Sequence, residues 1–358
     1  MEEIRKHFPA LLGCTYLNTA ANGLVPKPVI DWRREHDMDL LLKAGSFRDP
    51  HKFHFERIRK VVAETFGSSI DELALIPNFS LGINMVLAGL PEGQRILLLK
   101  DDYPSVNWPV ETRDYDICYA HIQENLEQNI HEAVVKHKPD IFIFSIVQWL
   151  NGVKIDFDFL KELKSYNPNL LLIADGTQYL GTEKFSFKDS PLDVLCASCY
   201  KWLTAGYGNG ILMIKESARN RIFPKAIGFN SAQSFEDSAT ETLYMKHYEP
   251  GHLDTLNFGS LEKSILFTQS LGENLLHEKV SSLALIAKER FSEMGLLDIK
   301  IINRKIHSSI FNLKGDHTIF KKLKENGILT SERGGGIRVS FHYYNTMDDL
   351  EKLIEVLK

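Results

Sequence analysis

The chain reads as an α/β protein, with a largely parallel seven-stranded sheet covered by helices and then a smaller α+β domain. Three observations predict this. Seven short apolar runs rich in β-branched residues recur over the first two thirds of the 358 residues, several are separated by stretches with helical spacing, and the alternation stops after about residue 248.

The candidate strands are 73–76, 95–99, 116–120, 140–147, 170–174, 193–197 and 210–214. Helical spacing occupies 80–90, 124–138 and 156–166, so the strands are joined by crossovers and ligands are expected outside their carboxyl ends. Beyond residue 248 one long helix is expected over 260–291, then a strand over 337–341 and a helix over 346–357. These readings divide the chain into a large domain at 16–250 and a small one at 251–358, with 1–15 packing near the small domain. Gly334-Gly335-Gly336 is the strongest flexibility signal.

Apolar residues make up 44% of the chain without a long unbroken run, and the net charge of -5 offers no basic field to a nucleic-acid backbone. The opening MEEIRKHFPALLGC lacks the apolar core of a secretory signal, and no stretch has the length of a membrane span. Four cysteines in a chain of this length do not make a disulfide framework; a cytoplasmic location is the expectation. Cys196 and Cys199 form a single C-x-x-C without a second ligand pair, which favours a structural role over metal or redox work, and no metal is expected.

Chemistry concentrates after two neighbouring strands. Asp175 follows one apolar run, and Lys201 follows the next, 26 residues downstream. A lysine nucleophile and a carboxylate at opposite ends of one flat ring suit pyridoxal 5′-phosphate (PLP), the lysine forming a Schiff base and the carboxylate keeping the ring nitrogen protonated. A free lysine has a pKa of roughly 10.4, so such a site must lower it by burial or nearby cations. Taken singly, Asp175 also reads as a helix cap and Lys201 as a surface residue.

Four motifs stand in order: Tyr16-Leu17-Asn18-Thr19-Ala20-Ala21, Asp175-Gly176-Thr177-Gln178, Ser198 to Lys201, and Arg338-Val339-Ser340 followed by Tyr344-Asn345-Thr346. Together they resemble the class V aminotransferase family, which also contains cysteine desulfurases, selenocysteine lyases, kynureninase and isopenicillin N epimerase. The resemblance covers most of the chain and implies the PLP-dependent transferase fold, with Lys201 and Asp175 as the catalytic pair. It places Tyr103 on the pyridine face and Gln178 at the ring O3′. Tyr200 stands where desulfurases usually carry a histidine that touches the phosphate.

The stretch 78–84 joins a strand to a helix, so the Phe79 and Ser80 backbone and the Ser80 hydroxyl are placed to hold a phosphate, with Ser198 converging on the same anion; an ordinary cap is the other reading. Gly251-His252 resembles a Gly-Thr pair that reaches the phosphate from the second subunit of a homodimer, with His in place of Thr. Trp149 and Asn151 both lie where the family places a residue near O3′. Arg338, on an alternating strand, suits an amino-acid α-carboxylate in bidentate geometry, which is how the family uses it.

A desulfurase that forms an enzyme persulfide needs a cysteine in the segment before that arginine. Residues 327–336 have none; the cysteines are at 14, 118, 196 and 199. In all the remaining reactions the substrate amine displaces Lys201, which then takes the Cα proton. Transamination of an amino acid or other amine is the first choice because it needs no further group, with a selenocysteine-lyase-like elimination or an epimerisation as alternatives. A non-catalytic relative would lack the lysine, the aspartate or the arginine, and all three are present. Gly206-Tyr207-Gly208-Asn209-Gly210 precedes a strand and reads as a turn rather than a dinucleotide site.

Overall fold

The computed structural model describes residues 2–232 and 241–358. Its first strand is β1 (Thr15–Tyr16). The large sheet contains β2 (Leu73–Ile76), β3 (Arg95–Lys100), β4 (Asp116–His121), β5 (Ile141–Ser145), β6 (Leu171–Asp175), β7 (Val194–Ser198) and β8 (Gly210–Ile214). The C-terminal part adds β9 (Ile310–Leu313), β10 (Ile328–Leu329), β11 (Ser331–Arg333) and β12 (Gly336–Ser340). All seven runs expected to be strands are strands, paired in the order β2-β8-β7-β6-β5-β3-β4. β8 runs antiparallel to both neighbours, and the other pairings are parallel.

Helices α1 (Glu2–Arg5), α2 (Lys27–Lys43) and α3 (His51–Phe66) precede the sheet, and α4 (Phe79–Ala88), α5 (Pro104–Glu111), α6 (Leu126–His137) and α7 (Phe157–Tyr166) connect its strands. Strand residues alternate between the two faces. Ile96 and Leu98 of β3 pack with Ile83 and Val86 of α4 and Val106 of α5, whereas Leu97 and Leu99 pack with Ile58 of α3, Ile130 of α6 and Leu160 of α7. Both faces are therefore covered, which explains why β5, β6 and β7 are unbroken apolar runs and why they could be recognised.

The chain steps outward from β3 to β4 and then returns to β5 on the other side of β3. This reversal opens a crevice at the carboxyl ends of β3 and β5, the position where open α/β sheets bind ligands.

After the large sheet come α8 (Thr255–Ser270), α9 (Glu273–Glu293), α10 (Ile299–Ile302), α11 (His317–Glu325) and α12 (Met347–Leu357). The single helix expected over 260–291 is two helices, broken at Gly272, whose φ of 84° lies outside helical space. The smaller domain carries the antiparallel sheet β11-β12-β9. The triple glycine is not a slack tether: Gly334 and Gly335, with φ of 65° and 73°, form the turn between β11 and β12, and Gly336 begins β12. Phe8, Leu11 and Tyr16 cluster with Phe267, Leu276, Tyr343 and Tyr344, and β1 pairs with β10. No helix among the described residues is long and apolar enough to cross a membrane.

Candidate active site

The ends of β3, β5, β6 and β7 and the start of α4 enclose a cavity of about 570 Å³, within the range of small-molecule sites. Phe79, Ser80, Tyr103, Asp175, Gln178, Ser198, Tyr200 and Lys201 all line it, joined by Ser145, Trp149, Thr177 and Tyr207. Arg338 is close by but behind this lining. Gly251 and His252 are exposed and lie outside it.

Lys201 follows β7 and is only 6% exposed. Its Nζ is 5.6 Å from the centre of the Tyr200 ring and 5.9 Å from that of Tyr103. Burial among these rings pushes the amine down from its ordinary value to about 7; Arg338 and Arg333 push the same way, and Asp175 opposes them. The loop is held in place by Gly23, whose N–H donates to the Tyr200 carbonyl, and by a turn closed from Thr204 N–H to the Lys201 carbonyl. Thr204 itself has a φ of 50°, a conformation a β-branched residue rarely adopts, so the turn after Lys201 is strained.

Asp175 ends β6, and its Oδ1 accepts the Thr177 N–H at 2.8 Å. Burial raises its carboxyl above the ordinary value, the Thr177 bonds and the Lys201 ammonium resist, and a second buried carboxylate, Asp102, adds to the rise. Asp102 accepts the N–H groups of Tyr103 (2.6 Å) and Ser145 (2.8 Å), tying the end of β3 to the end of β5.

At the other end of the cavity, α4 begins. Asn78 Oδ1 accepts the Leu81 N–H at 3.0 Å and Ser198 Oγ accepts the Phe79 N–H at 2.8 Å, which leaves the Ser80 N–H without an intrahelical partner. The Ser80 hydroxyl donates to Ser105 Oγ at 2.9 Å. Ser198 and the first turn of α4 thus converge, with the helix dipole favouring an anion there. Tyr200 stacks on Tyr207, ring centres 4.6 Å apart.

Gln178 is fixed by two bonds. Its Oε1 accepts from Trp202 Nε1, which can only donate, so its Nε2 faces the Ala20 carbonyl at 2.9 Å and keeps a second hydrogen. Ala20 N–H in turn donates to Ser340 Oγ at 3.0 Å. The N-terminal motif therefore links the Gln178 and Arg338 motifs.

Arg338 lies on β12 and is 1% exposed. Its Nη1 donates to the Trp149 carbonyl at 2.7 Å, while Nε and Nη2 are buried with no hydrogen-bond partner among the described residues. Burial, then Arg333, lowers its pKa to about 10, so it is a cation at neutral pH. The Arg333 guanidinium stands over the Trp149 ring at 5.9 Å, and Trp149 meets Tyr103 edge-on at 5.6 Å. Of the two residues left open near O3′, Trp149 lines the cavity, whereas Asn151 spends its Oδ1 on the Val153 N–H at 3.1 Å.

Sequence reasoning missed Asp102, Ser145 and Tyr207. Asp101-Asp102 looks like a surface turn, and Asp101 does turn the chain with a φ of 66°, but Asp102 is buried; the usable signal was its place just beyond a strand end. Cys196 and Cys199 are free, buried thiols whose pKa values burial raises, and Cys196 Sγ packs 3.7 Å from the Phe79 carbonyl.

These residues fit PLP. They offer a buried amine for the aldehyde, a buried carboxylate for the ring nitrogen, and a helix N-terminus with converging hydroxyls for the phosphate, while the unpaired Arg338 donors suit a carboxylate beside it.

Residues 15–353 match the family model Aminotransferase class-V. The chain is 23% identical to a probable cysteine desulfurase of Pyrococcus abyssi, covering 100% of this chain and 96% of that one. It is 21% identical to an uncharacterized aminotransferase of Bacillus subtilis, covering 99% and 96%. Among solved structures it resembles a C-DES mutant with glycine covalently linked to the PLP cofactor, with a TM-score of 0.88, 18% identity and 98% of both chains covered.

Proposed function

Because the chain belongs to the class V aminotransferase family and uses PLP as its cofactor, we propose that it is an aminotransferase acting on an amino acid. The observation that carries this is the inventory of the cavity lining: one amine, Lys201, one carboxylate, Asp175, and otherwise hydroxyls, amides, apolar side chains and aromatic rings. Transamination needs a single group that moves a proton between the substrate Cα and the cofactor carbon on the same face, and Lys201 is that group. Epimerisation requires a second base on the opposite face; Tyr200, raised to about 12 by burial, is not one at neutral pH.

When bound, PLP supplies the electron sink. Lys201 would hold it and, once free, would be the group that carries the proton; its lowered pKa leaves a large share of it unprotonated near neutrality. Asp175 is the carboxylate that would face the ring nitrogen and keep it protonated. The first turn of α4 at Phe79 and Ser80, with Ser198 and Tyr200, would hold the phosphate, Tyr103 would face the ring, Gln178 would have its remaining hydrogen for O3′, and Arg338 would take the α-carboxylate.

A β-elimination is the second reading, favoured by the lack of cysteine in 327–336, which leaves no thiol there to accept sulfur. One experiment separates the two. The purified protein is given PLP and then single L-amino acids, with the cofactor spectrum and the products followed together. A borohydride-sensitive visible band that Lys201→Ala lacks, and its conversion to the amine form of the cofactor with release of a keto acid, is the expected result. Release of ammonia with the band unchanged selects elimination.

A further inference from the structure

The same site carries more positive charge than a simple amino acid needs. The register of the β11-β12 hairpin pairs Ser331 with Arg338 and Arg333 with Gly336. Side chains of paired residues share a face, as do residues two apart on one strand, so Arg333 and Arg338 are diagonal neighbours on one face. Like charges so placed repel, and no ion pair among the described residues involves either guanidinium. Both converge on Trp149: Arg338 on its carbonyl and Arg333 over its ring. Trp149 lines the cavity, and its own Nε1 is buried without a partner among the described residues.

One α-carboxylate satisfies the two free donors of Arg338, and Asp175 is taken by the ring nitrogen. Arg333, exposed and outside the lining, then keeps its charge without an ion-pair partner among the described residues, over the Trp149 ring that does line the cavity. We propose that the substrate is a dicarboxylic amino acid, its side-chain carboxylate held by Arg333 while Arg338 holds the α-carboxylate. This rests on the reading of the site as an amino-acid enzyme and narrows its substrate class. A guanidinium held over an indole ring offers a planar, two-oxygen acceptor a fork that a lysine would not match.

The test compares amine-free acids on the PLP-loaded protein by titration calorimetry: succinate and glutarate, with two carboxylates, against butyrate, with one. At least one diacid is expected to bind about fivefold tighter than butyrate. Arg333→Gln is expected to bring that ratio close to one, with butyrate affinity changing less than that of the diacids, and Arg333→Lys to restore it in part. Equal binding of diacid and monoacid, a preference that survives Arg333→Gln, or no binding of any of the three to protein carrying the cofactor band overturns the proposal. The band is scored in the same samples, so a protein that never takes up PLP refutes the enzyme reading itself, separately from the substrate class.

Discussion

The reactivity proposed for Lys201 follows from where it is buried. The unprotonated amine is the nucleophile, and burial with two neighbouring guanidiniums lowers its pKa to about 7. Capture of PLP by Lys201, trapped with borohydride and located by peptide mapping, should therefore rise with pH around a midpoint near 7. Below it the amine is protonated and unreactive; above it the amine is free. A midpoint close to that of an ordinary lysine, roughly 10.4, would refute this account. Lys201 and Asp175 were legible in the sequence because each stands just past an apolar run, where a parallel sheet opens. The burial of Arg338 was not legible: alternation gives the face of a strand but says nothing of what covers it, and here the cover is the Trp149 segment, nearly two hundred residues away in the chain. Asp102 was hidden for a similar reason, since its partner Ser145 lies on β5, 43 residues away in the chain.

The hairpin β11-β12 is the element that presents both arginines, so its turn should matter to binding as well as to stability. Gly335 has a φ of 73° and open space around the position a Cβ would take, so Gly335→Ala adds backbone strain alone. A loss of about 1–2 kcal/mol of stability is expected by urea denaturation, together with weaker binding of carboxylate ligands. Unchanged stability and affinity would show that the turn does not define the arginines' positions. The strands of the large sheet were readable as continuous apolar runs, and α12 as a helix over 346–357; in the structure Thr346 caps it by accepting from Asp349 N–H. The break between α8 and α9 was not readable, because a single glycine between good helix formers costs only about 1 kcal/mol and tertiary packing decides the outcome. The triple glycine misled in the other direction, since glycine marks both slack chain and tight turns.

For the molecule as a whole, the expectation of a second copy comes from the family resemblance. Leu40, Leu41, Leu42 and Phe53 are exposed, Leu41 at 72%, and Gly251 and His252 lie at the surface outside their own cavity. A homodimer is proposed in which His252 reaches the phosphate of the neighbouring site. Sedimentation should find a dimer, and His252→Ala should weaken PLP affinity without dissolving it; a strict monomer with undiminished affinity would remove His252 from the site. The bonds of the N-terminal motif carry a last consequence, for synthesis on the ribosome. Thr15 N–H is bonded to the Gly327 carbonyl, Ala20 N–H to Ser340 Oγ, and Ala20 in turn receives Gln178. A segment made earlier must wait for one made much later, a separation of 320 residues for Ala20 and Ser340, so the cofactor site cannot be completed on a nascent chain from which β12 has yet to emerge.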